Sequence, residues 1–229
     1  MVDNYNKVIT VDGPSGVGKG TISRGLAMAL GWRWLDSGAL YRLTALAADR
    51  LQIALDDVPA LADIAKALDV SFSVDTTQDD PDIILAGEVV NAHIRTENCG
   101  NIASKIAAYP AVREALLQRQ RDFLTEQGLI ADGRDMGTII FPEAPLKVYL
   151  TASAEVRAAR RHRQLRQQGV DVNMSRLLEE ITHRDARDRQ RTIAPLVPAD
   201  DAIVIDTSDL TIAEVLNKVL AEARERGLV

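Results

Sequence analysis

"VITVDGPSGVGKGTISRGLAMALG", residues 8–31, sets four glycines within eight positions, 13 to 20, between an apolar run and a helix-like stretch. Glycine weakens helix and strand alike, so such a cluster answers to a special backbone path. Gly13, Gly18 and Lys19 fit GxxxxGK, the spacing of a loop whose backbone N–H groups cradle phosphates while the lysine reaches the outer ones. The flanks agree with that loop. Val8, Ile9 and Val11 read as a buried parallel strand, and Thr21 to Leu30 as a helix stopped by Gly31. A helix start carries roughly half a positive charge and unpaired N–H donors, so anions settle there. The slot after Lys19, which in such loops commonly holds the magnesium-binding Ser or Thr, holds Gly20, with Thr21 next.

Working outward, 229 residues suffice for one large domain or a core with insertions. The balance of 46% hydrophobic and 26% charged residues is that of an ordinary globular chain. No run approaches the roughly twenty apolar residues that cross a bilayer, so no membrane partner is expected. "MVDNYNK" is polar and enters the first strand directly, which predicts no secretory or transit signal. A single cysteine, Cys99, excludes an intramolecular disulfide and a multi-cysteine metal site, and points to a reduced, cytoplasmic setting with a buried thiol. The net charge of −6 argues against a nucleic-acid partner. Its distribution says more. From Arg157 to Arg191 there are ten arginines against five acids, a local +5, so the rest of the chain carries −6 − 5 = −11. One arginine-dense segment in an acidic protein predicts a small polyanionic ligand held at one place.

Five short strand-like runs, "KVITV", "RWLD", "GLIAD", "LKVYL" and "AIVID", alternate with helical stretches and predict an α/β fold with a five-stranded parallel sheet flanked by helices. The last helix is signposted by a capping box of Thr211 and Glu214 and by Gly227 at its end. Residues 70–95 alternate in strand fashion around an Asp-Asp-Pro break and an Ala-Gly turn, which predicts a small antiparallel β insert. Residues 153–191 read as two helical segments split at "QQGVDVN". No internal repeat or low-complexity linker interrupts the chain. The expected organisation is one domain over 1–229: a core of about 1–66, 126–153 and 192–229, an insert-bearing part of about 67–125, and an arginine-rich lid of about 154–191.

The chemistry concentrates in three places. On the second lid segment Arg184, Arg187 or Asp188, and Arg191 recur at helical spacing on one face, and the span from 157 to 191 contains no lysine. Surface helices mix the two cations freely, whereas arginine alone offers a planar fork for phosphate oxygens. Arg157, Arg160 and Arg161 on the preceding segment follow a similar spacing, placed to approach a transferring phosphoryl group opposite Lys19. "LDSGALYR", residues 35–42, leaves a strand and enters a helix, bringing Ser37, Tyr41 and Arg42 to a sheet's C-terminal edge, where ligands bind in open α/β sheets. "IADGRDMG", residues 130–137, does the same with Asp132, Arg134 and Asp135. His93, His162 and His183 lack metal-ligand spacing, and no Ser/His/Asp arrangement emerges. A missing base is compatible with phosphoryl transfer to a phosphate monoester, whose second pKa near 6 leaves it ionised at neutral pH. Such an acceptor needs positioning and charge neutralisation.

These motifs together carry a resemblance. "GPSGVGKGT" resembles the phosphate loop of nucleoside monophosphate kinases, in which GKG followed by Thr is normal, and "LDSGALYR", "IADGRDMGT", "RDARDRQR" and "APLVPADDAIVIDTS" are similar to bacterial cytidylate kinases. The resemblance covers nearly the whole chain. It implies transfer of the γ-phosphate of ATP to CMP or dCMP with Mg2+, a P-loop NTPase fold, a monophosphate-binding part with the insert, and an arginine-bearing lid. It further implies that Gly13, Pro14, Ser15, Gly16, Val17, Gly18, Lys19, Gly20 and Thr21 hold the ATP phosphates, joined by lid arginines Arg157, Arg160 and Arg161. Ser37, Arg42, Asp132, Arg134 and Arg184 surround the acceptor, with Tyr41 beside them. Ser104, Arg113 and Asp135 face the cytosine, Asp188 the ribose, and Arg191 the acceptor side. Lys19, Arg134, Arg184 and Arg191 carry the catalysis, and Thr21 is the candidate protein ligand of the metal. A GTP-dependent switch would need NKxD after a strand, whereas Asn217-Lys218 continues as Val-Leu inside a helix. A kinase for another acceptor, such as UMP, is the alternative within the enzyme class. A monomer is expected, because no long exposed apolar stripe is evident.

Overall fold

The apolar run before the glycine loop forms strand β1 (Val8–Asp12), buried along its whole length. It lies at the centre of a five-stranded sheet with β2 (Arg33–Asp36), β6 (Leu129–Gly133), β7 (Leu146–Thr151) and β8 (Ile203–Asp206), in the order β2-β6-β1-β7-β8. Every pairing is parallel. Helices cover both faces of such a sheet, which explains why its central strands read as continuous apolar runs without alternation. The register sets Asp12 beside Gly133 and Tyr149, and Asp36 beside Asp132, so the strands end at one common edge. The chain leaves β1 between β6 and β7, at the point where successive connections diverge and ligands settle.

The structure describes residues 5–72, 82–167 and 169–229 of this computed structural model. Two compact units emerge: residues 1–36 with 120–229, and residues 37–119. In the first unit, helix α1 (Lys19–Leu30) starts two residues before the span predicted from periodicity, because Gly18 adopts a left-handed conformation (φ 98°) and turns the chain directly into the helix. Gly31, also left-handed, ends it as expected. Helix α9 (Ile212–Glu225) carries the predicted capping box of Thr211 and Glu214. Leu26 of α1 and Val219 of α9 pack with Ile9, Val11, Val148 and Leu150 of the sheet. Truncating a wholly buried leucine such as Leu26 to alanine costs about 2–5 kcal/mol.

The arginine-rich segment folds as α7 (Ala154–Gln167) and α8 (Met174–Arg189), which pack against each other. Ser153 caps α7 by accepting from the Val156 N–H at 3.2 Å, and Asn173 caps α8 by accepting from the Arg176 N–H at 3.1 Å. After β6 the chain makes one π turn, Met136–Ile140.

The second unit begins with α2 (Ser37–Arg50) and α3 (Val58–Lys66). The predicted insert is an antiparallel sheet of β3 (Val70–Phe72), β4 (Ile83–Leu85) and β5 (Glu88–Val89). Its Ala86-Gly87 turn has both residues at positive φ, as a tight hairpin of this kind demands. The expected Asp-Asp-Pro break lies outside the described residues. The strand reading to residue 95 is corrected: Asn91–Ile94 form a short helix, α4. Asn91 turns its side chain back to accept from the Ile83 N–H at 2.7 Å, a contact that strand periodicity does not reveal. Helix α5 (Glu97–Ile106), capped by Thr96, and α6 (Pro110–Arg121) complete the order.

Candidate active site

The phosphate loop belongs to the first unit. Gly13 sits at φ 148°, and a Cβ there would lie 2.2 Å from the Leu150 carbonyl oxygen, so only glycine lets the chain pass this close to β7. The first intrahelical bond of α1 runs from the Ile22 N–H to the Gly18 carbonyl at 3.1 Å. The amides of Gly18 to Thr21 therefore have no partner within the helix, and form the donor end that an anion would meet. Lys19 is buried and folds over the loop, its Nζ donating to the Pro14 carbonyl at 2.7 Å. Burial, reinforced by the nearby charge of Arg134, lowers the Lys19 ammonium to about 7, against the pull of Asp132 and Asp12.

The strand ends supply the acids. Asp132, at the end of β6, is buried, and desolvation lifts its carboxyl to about 7 in spite of Lys19. Asp12, at the end of β1, accepts from the Met136 N–H at 2.9 Å and the Gly137 N–H at 2.8 Å. Burial still outweighs those two bonds and holds it at about 7. The edge of the sheet thus gathers a lysine and two acids, all three buried.

Beside this edge, arginines are bracketed by acids. Asp188, 1% exposed, accepts from Arg134 Nε at 3.3 Å and from Arg191 Nη2. Arg134 also donates to the Gly133 carbonyl at 3.2 Å. Arg184 is close enough to Lys19 to depress its ionisation. Asp135, buried, immediately precedes the π turn, and its charge acts on Asp12. The arginines of α7 behave differently. Arg157 donates to the Ala152 and Ser15 carbonyls and, bidentate, to Asp185. Arg160 donates to the Thr207 hydroxyl at 3.1 Å and to the Thr207 carbonyl. Arg161 reaches Gln164 at 2.7 Å, at the surface.

Five of the predicted residues belong to the second unit. Ser37 opens α2 and is buried. Tyr41 is buried in the same helix, and the Arg113 guanidinium lies 6.0 Å from its ring centroid. Arg113, on α6, also donates to the Ala107 carbonyl at 3.4 Å. Ser104 is buried on α5, which packs on α2. Arg42 donates to the Ile94 carbonyl at 2.6 Å and to the Thr96 carbonyl at 3.3 Å, and its own carbonyl accepts from the buried Cys99 thiol at 3.5 Å. No helix among the described residues is long and apolar enough to cross a membrane.

The family model for cytidylate kinase matches residues 9–225. The chain belongs to the cytidylate kinase family. It is a nucleoside monophosphate kinase by that membership. A cytidylate kinase of Colwellia psychrerythraea is 56% identical over 213 residues, 93% of this chain and 94% of its own. One from Shewanella putrefaciens is 57% identical over 219 residues, 96% of this chain and 95% of its own. Another, from Aeromonas hydrophila, is 58% identical over 219 residues, 96% and 94% of the two chains. Among solved structures, a gluconokinase from Sinorhizobium meliloti is a distant likeness, 17% identical over 96% of this chain and 93% of its own with a TM-score of 0.48.

Within the cytidylate kinase frame, three residues stand out that the motifs alone did not mark. Asp12 binds the two amides that follow Asp135, Asp185 binds Arg157, and Thr207 binds Arg160. Asp12 had a local signal, as an acid ending a buried strand just before the glycine loop. Asp185 had a weaker one, since acids at 185 and 188 interleave with arginines at helical spacing. Thr207 had none, because its partner lies 47 residues away.

Proposed function

We propose that this chain transfers the γ-phosphate of ATP to CMP or dCMP, giving ADP and CDP or dCDP. The single observation that carries the proposal is the pairing, within one unit, of a phosphate loop overlain by Lys19 with the bracket in which Asp188 holds Arg134 and Arg191. Two anion-binding devices of different construction suit two phosphorylated substrates. In this reading Gly13 to Thr21 hold the donor phosphates, and Lys19 follows the transferring group. Arg134, Arg184 and Arg191 neutralise the acceptor phosphate, and Asp132 lies beside the acceptor. Asp188 serves the ribose in this reading. Ser37, Tyr41 and Arg42 serve the acceptor, and Ser104, Arg113 and Asp135 its base. The stretch 154–191 acts as a lid that closes when both nucleotides are present, with a core and a monophosphate-binding part as its partners. Arg161, at the surface of α7, is a lid arginine that contributes at most a weak contact to ATP.

The acceptor phosphate is its own nucleophile, so the protein's work is orientation, charge neutralisation and exclusion of water. Magnesium, bound with ATP, supplies charge neutralisation at the transferring phosphate. The residues present fit it: Thr21 offers a hydroxyl at the helix start, and a Cβ on Gly20 would stand 3.6 Å from Asp132 Oδ2, so hard oxygen donors flank the slot. A monomer in the cytoplasm completes the proposal. Initial rates on a panel of CMP, dCMP, UMP and AMP at saturating ATP test it. Turnover is expected with CMP and dCMP, and equal or faster turnover of UMP would refute the choice of acceptor.

A further inference from the structure

Arg157 is an arginine of the lid that the structure turns away from solvent: it is 2% exposed. Nε donates to the Ala152 carbonyl at 3.1 Å, Nη1 to the Ser15 carbonyl at 2.9 Å and to Asp185 Oδ1 at 3.2 Å, and Nη2 to Asp185 Oδ2 at 2.5 Å. Four contacts use most of the fork's donors, and Asp185, itself 4% exposed, holds it bidentate. The contact with Ser15 matters most. A trans peptide points its C=O and the following N–H in opposite directions. Holding the Ser15 carbonyl on Arg157 therefore aims the Gly16 N–H away from Arg157. Gly16 is at φ 77°, and a Cβ there would rest 3.4 Å from Arg157 Cβ, so this arginine also forms the floor on which the loop lies. Asp185 is one residue from Arg184 and three from Asp188, on the same helix.

We propose that the buried Arg157–Asp185 pair is a positioning device for the donor phosphates: it sets the Ser15–Gly16 peptide so that the Gly16 N–H faces them, and it ties that peptide to α8, which carries Arg184 and Asp188. Arg157 touches no substrate and acts through the loop. The inference rests on the proposed kinase function and deepens it, replacing a direct phosphate contact at Arg157 with an indirect one. A phosphate-loop amide aimed in advance costs no reorganisation when the charge arrives, which is where such donors gain their effect.

The test compares the full-length wild type with Arg157→Met, Asp185→Asn, the double variant of these two, the apolar pair Arg157→Met/Asp185→Leu, and Arg157→Lys. Each is measured for affinity toward a non-hydrolysable ATP analogue, for kcat and both KM values, and for its melting temperature. Loss of a positioned amide donor is expected to lower kcat/KM for ATP by about 10²-fold and to weaken analogue binding, while KM for CMP changes by less than about threefold. The two single variants and their double should share the same defect, because they break one device. The apolar pair is expected to melt at or above the wild-type temperature, since buried ion pairs are often replaced by apolar groups without loss, and yet to show the same defect. Should the apolar pair fail to fold, Arg157→Lys decides: it keeps the buried charge but lacks the fork that spans Asp185 and Ser15, and is expected to bind the analogue weakly at a near-native melting temperature. Wild-type analogue binding in whichever of these two variants folds natively overturns the proposal and leaves the pair a stability element. A loss in Arg157→Met far exceeding that in Asp185→Asn overturns it in favour of a direct phosphate contact. Failure of the wild type to phosphorylate CMP would refute the function itself, and the analogue-binding comparison is independent of that result.

Discussion

The glycine loop and the α7–α8 hairpin both look, in sequence, like phosphate grips, and the structure treats them oppositely. The loop's donors are backbone amides at a helix start, with no partner inside the helix, so they remain available to a ligand. The hairpin's arginines are side chains, and most find protein partners first: Arg157 with Asp185 and Ser15, Arg160 with Thr207, and Arg191 with Asp188. A short motif defines the chemistry of a backbone nest because its geometry is local. A stripe of arginines defines only a face. Which member meets a ligand and which holds the scaffold depends on acids and carbonyls far away in the chain.

The sharpest way to break this comparison is at Lys19. Lys19→Met is expected to lower kcat by about 10³-fold or more while the apo protein melts no lower than the wild type, because the lysine is buried and held near 7. Turnover within tenfold of wild type would deny the loop its role. Next comes Asp135, where cytosine recognition is proposed. An acceptor facing the N4 amino group would face the O4 of uracil unfavourably, and sites built to pair polar groups reject the wrong analogue by up to about 10⁴-fold. Asp135→Ala should cost about 10²-fold in kcat/KM for CMP and narrow the CMP/UMP ratio, and an unchanged ratio would move the base contacts elsewhere. Arg113→Met, which also loses the ring of Tyr41, should raise KM for CMP by about tenfold with KM for ATP unchanged.

A smaller effect concerns stability and pH. Burial raises the Asp132 carboxyl in the fold from the usual carboxylate range to about 7. A raised acid binds its proton more tightly when folded, so its burial weakens the fold progressively as pH climbs from about 4 to 7. Asp132→Asn removes that dependence. Its stability relative to wild type should grow from pH 4.5 to pH 6.5, by no more than about 3 kcal/mol, in urea unfolding of the apo proteins. A flat difference would show that Asp132 ionises normally. Smallest of all, Arg161→Ala, at the surface of α7, should change KM for ATP by less than about fivefold, as exposed ion contacts contribute little. A larger loss would place the main lid contact at this residue.

Much of the molecule is legible without coordinates, and for local reasons. The three central strands are apolar runs buried along nearly their whole length, the helix stops are glycines at positive φ, and the last helix announces itself by a capping box of neighbours three apart. The Ala86-Gly87 hairpin is equally local. The errors are local signals overruled from a distance. Residues 91–94 alternate like a strand, yet Asn91 closes back on the Ile83 amide and a helical turn results. Residues 19 and 20 look like loop, yet a left-handed Gly18 starts the helix there.

The candidate site divides the same way. By itself the sequence determined the phosphate loop, the acid at strand end 132, and the presence of an arginine-rich hairpin, because each depends on spacing along the chain. Only the tertiary structure decided which arginines are struts. Asp188 brackets Arg134 across 54 residues, Arg157 reaches the Ser15 carbonyl across 142, and Arg160 reaches Thr207 across 47. An arginine fork has five donors and takes whichever acceptors the fold brings to it, and that choice is made by packing, which spacing does not encode.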